Sequence, residues 1–255
     1  MDRAADRRER ALRDLEPYVR RARGFSGWSF EDVDARPLDP APPWDYEALA
    51  REAAEHARSV LDLGTGGGEV LERVLRGLSV RAIATEEWEV NAPVAQDRLG
   101  PLGVRVVRCS ALALPFRDAS FDLVLDRHEE LEPGEVARVL APGGRLLTQQ
   151  CGPDDWAEIW RFFPEATRFP DHYQIYQDDL RAAGLSVSAQ RHYRRVAYRT
   201  LGDLVYMLLL SPWWLPDFDP RASVDRLLAL EDALGTPEGV VVTESRYLLV
   251  AEKSR

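Results

Sequence analysis

The chain has 255 residues, 45% of them hydrophobic, and a formal net charge of −10. That length builds one large domain, or one domain with an appendage, around a proper core. The acidic balance argues against nucleic acid as a main partner, and the longest apolar run, residues 204–210, falls far short of a membrane span.

The first sixteen residues are charged throughout and lack the apolar core of a signal peptide. The two cysteines, Cys109 and Cys151, have no partner at metal-ligand spacing. The expectation is a cytoplasmic protein with reduced thiols and no resident metal. Residues 4–23 predict a helix with Leu12, Leu15 and Val19 on one stripe. Eight arginines lie between residues 3 and 23, interleaved with acids. They read as a solvated face, or else as a nucleic-acid contact. The stretch Gly24-Phe25-Ser26-Gly27-Trp28 ends the helix, and residues 36–44 form an extended, proline-rich connector. A second helix, near 45–57, leads into the main sheet. Residues 1–50 are thus a helical appendage to a domain at 51–255. Phe25, Trp28 and Trp44 act there as a lid over a pocket or as pegs that hold the appendage down.

From residue 59 strands and helices alternate. Strands are predicted at 59–63, 80–86, 104–109, 121–126 and 145–150, with helices at 69–75, 91–99 and 133–140 between them. Repeated strand-then-helix units imply a parallel, doubly wound α/β sheet with helices on both faces. Beyond residue 151 the pattern loosens. Helices are expected at 154–162, 176–183, 200–210 and 221–234, and a strand at 185–195. Residues 239–244 and 246–251 form one bent strand or a hairpin.

Residues 59–69 organise the chain. The run Val60-Leu61-Asp62-Leu63 enters the turn Gly64-Thr65-Gly66-Gly67-Gly68, and a helical pattern starts at Glu69. Such a strand, turn and helix brings bare backbone up to a nucleotide-like ligand. The dinucleotide pattern fails because Glu69 takes its last glycine position, and no Lys-Ser/Thr pair makes a P-loop. Asp62, two residues before the first glycine, suits a ligand that carries positive charge. Ligands of doubly wound sheets lie beyond the carboxyl ends of the strands. Glu86, 24 residues after Asp62, ends the second strand, where a carboxylate can accept from both hydroxyls of a ribose. Glu87 competes for that role.

The pattern Asp62-x-Gly64-x-Gly66-x-Gly68 resembles motif I of the class I S-adenosylmethionine-dependent methyltransferases. Cys109 to Phe116, Phe121 to Glu129 and Arg138 to Leu146 resemble later motifs of that family in the same order. The resemblance covers roughly residues 58–150, the cofactor-binding half; residues 151–255 would shape the substrate site. It implies a Rossmann-like, mostly parallel seven-stranded sheet that ends in an antiparallel strand pair. It implies S-adenosylmethionine as cofactor, held by Asp62, Gly64, Thr65, Gly66, Gly68, Glu86 and Asp126. Ser110, Ala111 and Leu112 would meet the adenine. The family usually has an aspartate where Ser110 stands, so that match is weaker. Asp126, Arg127 and His128 would face the transferred methyl. His128 is the candidate general base, with Asp126 as the alternative, because a histidine titrates near working pH. His128 could instead only shape the pocket.

Residues 156–214 supply Trp156, Trp160, Phe162, Phe163, His172, Tyr173, Tyr176, Trp213 and Trp214. These suit a planar or apolar acceptor, although ordinary core packing explains most such residues. His172 and His192 are further candidate bases. The expected activity is methyl transfer to an oxygen or nitrogen of a small molecule. An RNA or protein methyltransferase, or a non-catalytic cofactor-binding module, are the alternatives.

Overall fold

A computed structural model describes residues 3–255. Met1 and Asp2, the first two residues of the expected appendage, lie outside the described residues. In chain order the elements are α1 (Arg3–Arg23), β1 (Ala35–Pro37), α2 (Tyr46–Glu55), β2 (Ser59–Leu63), α3 (Glu69–Leu75), β3 (Arg81–Thr85), α4 (Asn91–Leu99), β4 (Arg105–Val107), β5 (Phe121–Arg127), α5 (Pro133–Val139), β6 (Leu140–Cys151), α6 (His172–Ala182), β7 (Leu185–Tyr198), α7 (Leu201–Leu209), α8 (Val224–Leu234), β8 (Gly235–Thr236) and β9 (Gly239–Lys253).

One sheet runs in the order β1-β7-β9-β6-β5-β2-β3-β4. Strands β6, β5, β2, β3 and β4 are mutually parallel, and β9 is antiparallel to both β6 and β7. The expected seven-stranded, mostly parallel sheet with an antiparallel end is therefore present. Two short strands enlarge it: β1 extends the edge beyond β7, and β8 pairs with β9. The runs 239–244 and 246–251 are one continuous strand. The parallel part starts in the middle with β2, moves outward to β4, then returns to place β5 on the other side of β2. That reversal opens a crevice between the ends of β2 and β5, the place where such sheets bind ligands.

Alternation along the strands sorts the core onto two faces. Leu61, Leu63 and Val124 pack with α5 and α6, in a cluster that includes Val136 and Leu180. Val60, Leu123 and Leu125 pack with α2, α3 and α4 around Ala50, Leu71 and Leu99. A third cluster lies elsewhere. Residues 239–245 of β9 and 193–198 of β7 pair with each other past Cys151, where β6 ends against Arg246. This two-stranded extension projects about 20 Å beyond the carboxyl edge of the parallel strands. Val196, Tyr198, Val240 and Val242 on it are buried with Leu15 of α1, Leu204 and Leu208 of α7, and Leu227 and Leu230 of α8.

Helix α1 thus serves the same wall as the carboxyl-terminal helices. Part of its arginine face is matched by acids of α8, with Arg7 on Asp232 at 2.6 Å and Arg8 on Asp225 at 3.3 Å. The helix expected at 154–162 is only a 3-10 turn, Ala157–Arg161. Asp155 accepts from Ser245 N and Arg246, and Glu158 accepts from Thr243. Those bonds pin the segment to β9, and Trp156 enters it at φ 54°. Among the described residues no helix is long and apolar enough to cross a membrane.

Candidate active site

The glycine turn closes the carboxyl end of β2, whose five residues are all buried. Gly64, Gly66 and Gly68 adopt φ of 56°, 61° and 81°, where a side chain would be strained. The turn hangs on β3: Thr65 N donates to Thr85 O at 2.8 Å, and Gly66 N donates to a Glu86 carboxylate oxygen at 2.7 Å. The other Glu86 oxygen accepts from Trp88 N at 2.8 Å. Each oxygen keeps a second lone pair, so two hydroxyls can still be accepted.

The bare backbone of the turn also receives the chain itself. A Cβ at Gly67 would lie 2.7 Å from the Gly27 Cα, and one at Gly66 would lie 2.8 Å from the Trp28 Cβ. One at Gly64 would collide with the Glu129 side chain. Gly27 N donates to Asn91 Oδ1 at 2.9 Å, and Trp28 N donates to Glu69 Oε1 at 3.1 Å. Above the turn, Trp28 meets Phe25, Phe30, Trp88 and Trp213 at ring separations of 5.3–6.2 Å.

Several carboxyls converge beneath this cover. Asp62 is buried, and burial, reinforced by the Glu86 charge, raises its carboxyl to about 7. Glu129 is also raised to about 7, by burial and then by the charges of Glu86 and Glu87. Burial pushes Glu86 upward too, against hydrogen bonds that favour its charge. A cationic ligand is the natural complement of such a group. Among the described residues no cluster suited to a metal ion occurs.

The end of β5 gives its three residues different tasks. Asp126 is fully buried, with its oxygens accepting from Glu129 N at 3.2 Å and Gln150 Nε2 at 3.0 Å. Burial holds its carboxyl well above the usual range. Arg127 points to the opposite face, toward Tyr46 and Glu47 of α2, and burial lowers its pKa. The Tyr46 hydroxyl beside it is buried without a hydrogen-bond partner. His128 turns the chain at φ 68°, an uncommon value for a residue with a side chain and one often met at functional sites. Its N–H donates to Gln149 O at 2.8 Å, and its Nε2 lies 3.2 Å from Gln149 Nε2. Burial, then the charges of Arg127 and Arg246, hold its pKa well below the usual value, so the ring is neutral.

Ser110, Ala111 and Leu112 follow β4 at the neighbouring strand end. Ser110 Oγ accepts from Leu112 N at 3.3 Å and keeps its hydroxyl proton to donate. Ala111 is buried, whereas Leu112 is exposed. Arg138 of α5 clamps this loop from behind, donating to Leu114 O at 3.0 Å and Phe116 O at 2.6 Å.

The structure brings Asp62, the glycines, Glu86 and the end of β5 around one crevice. It separates several of the other candidates. Trp156, Phe163 and Trp214 are buried in the third cluster, and Tyr176 in the first. His172 stacks on Tyr176 at 4.9 Å, and His192 Nε2 lies 3.1 Å from Pro40 O. Sequence reasoning missed Glu129, Gln149 and the contact of Gly27 with Gly67. The pair Gly24 and Gly27 around Phe25 was the available signal for the last.

A sequence model of the methyltransferase-domain family matches residues 60–144. A demethylmenaquinone methyltransferase of Deinococcus radiodurans is 32% identical over 120 residues, which is 43% of this chain and 50% of the relative. A ubiquinone/menaquinone biosynthesis C-methyltransferase of Cupriavidus taiwanensis is 26% identical over 144 residues, 52% of this chain and 55% of the relative. The chain spans about half the length of the curated relatives it matches. In fold it resembles the YcgJ protein of Bacillus subtilis, with a TM-score of 0.59 and 20% identity over 82% of this chain and 98% of that one. The matched segment begins in β2 and runs through the glycine turn, Glu86 and the end of β5 to the start of β6, so residues 60–144 carry a methyltransferase domain, the part of the chain that resembles the class I S-adenosylmethionine-dependent methyltransferases.

Proposed function

We propose that this protein is a cytoplasmic enzyme that transfers a methyl group from S-adenosylmethionine to a small molecule carrying an ionisable hydroxyl or amine. The observation that carries this reading is the switch-point crevice, with an acid-lined glycine turn on one side and a neutral histidine on the other. When bound, S-adenosylmethionine supplies an electrophilic methyl on a positively charged sulfur.

The chain's residues then have separable tasks. Glu86 accepts from the ribose hydroxyls with its free lone pairs. Asp62 and Glu129 complement the cationic end by ionising. Asp126 keeps its buried bonds and fixes the turn that carries His128. The acceptor lies between His128 and the β7–β9 extension, within about 3–3.5 Å of the methyl, where water is excluded. The name of a curated relative, a C-methyltransferase, favours a second reading, in which the methyl goes to carbon.

The test combines binding and turnover. Calorimetry with S-adenosylmethionine should show Asp62→Ala and Glu86→Ala each weakened at least tenfold. Methyl-labelled cofactor with a panel of phenols, hydroxy acids and amines should give a labelled product, with carbon or heteroatom attachment read by mass spectrometry. Full affinity in both variants would remove the cofactor assignment. No label transfer to any acceptor, with tight binding intact, would favour a non-catalytic cofactor-binding module.

A further inference from the structure

Three side chains behind the end of β5 form a hydrogen-bonded line. Trp44 lies just before α2 and is buried. Its indole N–H donates to Gln149 Oε1 at 2.8 Å. Gln149, on β6, is buried too, and its Nε2 faces His128 Nε2 at 3.2 Å.

Donor and acceptor arithmetic fixes every proton in this line. An indole has only a donor, so the Gln149 oxygen must face Trp44. Rotating the amide would set two N–H donors against each other in a buried place, which costs about 1–3 kcal/mol. The Gln149 NH2 therefore faces His128. An amide nitrogen has no lone pair to offer, so His128 Nε2 must be the acceptor and carry no proton. In a neutral ring the proton then sits on Nδ1. The groups around the ring keep it neutral. Arg127, at the end of β5 beside it, and Arg246 on β9 both oppose a positive charge there. Glu129, next in the chain, turns toward Gly64, while Gln149 and Trp44 bring no charge from β6 and the α2 side.

We propose that Trp44 and Gln149 are positioning residues that lock His128 as the Nδ1–H tautomer, so that His128 meets the acceptor as a neutral hydrogen-bond donor and not as a general base. Its one basic nitrogen is already occupied by Gln149. The proton of the acceptor must then leave without His128; Asp126 is held by its own buried bonds and Asp62 and Glu129 serve the donor's cationic end, so the site favours an acceptor that arrives ionised, a phenolate or enolate oxygen accepting from Nδ1–H. This second half rests on the methyltransferase reading; the tautomer does not.

Nitrogen-15 NMR of the full chain labelled at histidine decides the tautomer without any acceptor. The chain has four histidines, and His128→Gln assigns the signal. Wild type should show an unprotonated Nε2 and a protonated Nδ1, constant from about pH 5.5 to 8, where a free histidine titrates. Trp44→Phe keeps the packing but frees the amide, and should give a mixture of tautomers. Gln149→Glu places an acceptor at Nε2; it should move the proton there and raise the pKa by about 1–3 units. A protonated Nε2 in wild type, or an unchanged tautomer in both variants, overturns the proposal. Should Gln149→Glu not fold, Trp44→Phe alone decides. With an acceptor in hand, Gln149→Glu should add an ionisation to the kcat profile and leave cofactor affinity unchanged. A failure of methyl transfer with the tautomer confirmed would sink the enzymatic reading and spare the lock.

Discussion

At Gly68 a single hydrogen atom stands between the glycine turn and the core. The residue has φ 81°, and a Cβ would lie 2.8 Å from Leu99 Cγ on α4. Leu99 is fully buried and has no room to withdraw. Gly68→Ala therefore combines backbone strain with overpacking and should cost about 2–4 kcal/mol in urea unfolding. The same change at Gly77, also at positive φ but with open space around it, should cost no more than about 1–2 kcal/mol. Equal losses at both sites would show that strain alone matters. Asp62 and Glu129 carry a different prediction. Both titrate near 7 in the ligand-free protein, and a cationic ligand favours their ionised forms. Below that pH binding must expel protons. Affinity for S-adenosylmethionine should therefore rise with pH through about 7 and level off above, by up to tenfold per pH unit for each group. Calorimetry in two buffers of different ionisation enthalpy should register proton release at pH 7. A flat affinity profile would contradict it.

Among the elements, the β7–β9 extension depends most on one side chain. Arg246 is largely buried at the point where β9 leaves β6. It donates to Asp155 at 2.5 Å and to Ser245 O at 2.8 Å, with Glu244 at 3.3 Å. Arg246→Ala would strand a buried Asp155, whose carboxyl is already raised by burial. The expected loss is about 3–5 kcal/mol. Hydrogen exchange should show it concentrated in residues 152–161 and 239–246, with β2 and β5 still protected. Uniform loss of protection would mean that the extension and the sheet unfold as one. The parallel strands themselves were legible in the sequence. The apolar runs of β2 and β5 are short, bounded by turn residues, and largely buried on both faces, so local pattern and tertiary environment agree. The 154–162 segment was not. Its pattern looks helical, but Asp155 and Glu158 spend their carboxylates on β9, a partner 85 or more residues away. Glu129 and Gln149 were hidden for a similar reason: Glu129 only closes a motif and Gln149 lies outside any, and each gains its meaning from a neighbour on another segment.

For the whole molecule, the concentration of raised carboxyls sets the pH response of folding. Asp62 and Glu129 bind protons more tightly when folded than unfolded. Their contribution to stability is complete below about pH 4 and is lost as pH rises toward about 7. The thermal midpoint of the ligand-free protein should fall across that window, and less so in the Asp62→Asn, Glu129→Gln double variant. Saturating cofactor should restore it, because a ligand that binds only the folded state adds stability. A midpoint that rises from pH 5 to 7 by the same amount in both proteins would show that other groups dominate.

The contact of Gly27 with Gly67 also bears on how fast the molecule can work. Two stretches of backbone 40 residues apart touch beside the glycine turn, where the proposed donor would lie, and Trp28 packs on the neighbouring Gly66. Any ligand that enters or leaves along the glycine turn must first part them, breaking the bonds of Gly27 to Asn91 and Trp28 to Glu69. On the proposed methyltransferase reading, release of spent donor is coupled to that parting, which predicts that exchange and not chemistry limits steady turnover. Rapid-mixing experiments should find a burst of product followed by a slower phase, and Trp28→Ala should quicken the slow phase while leaving the burst rate in place.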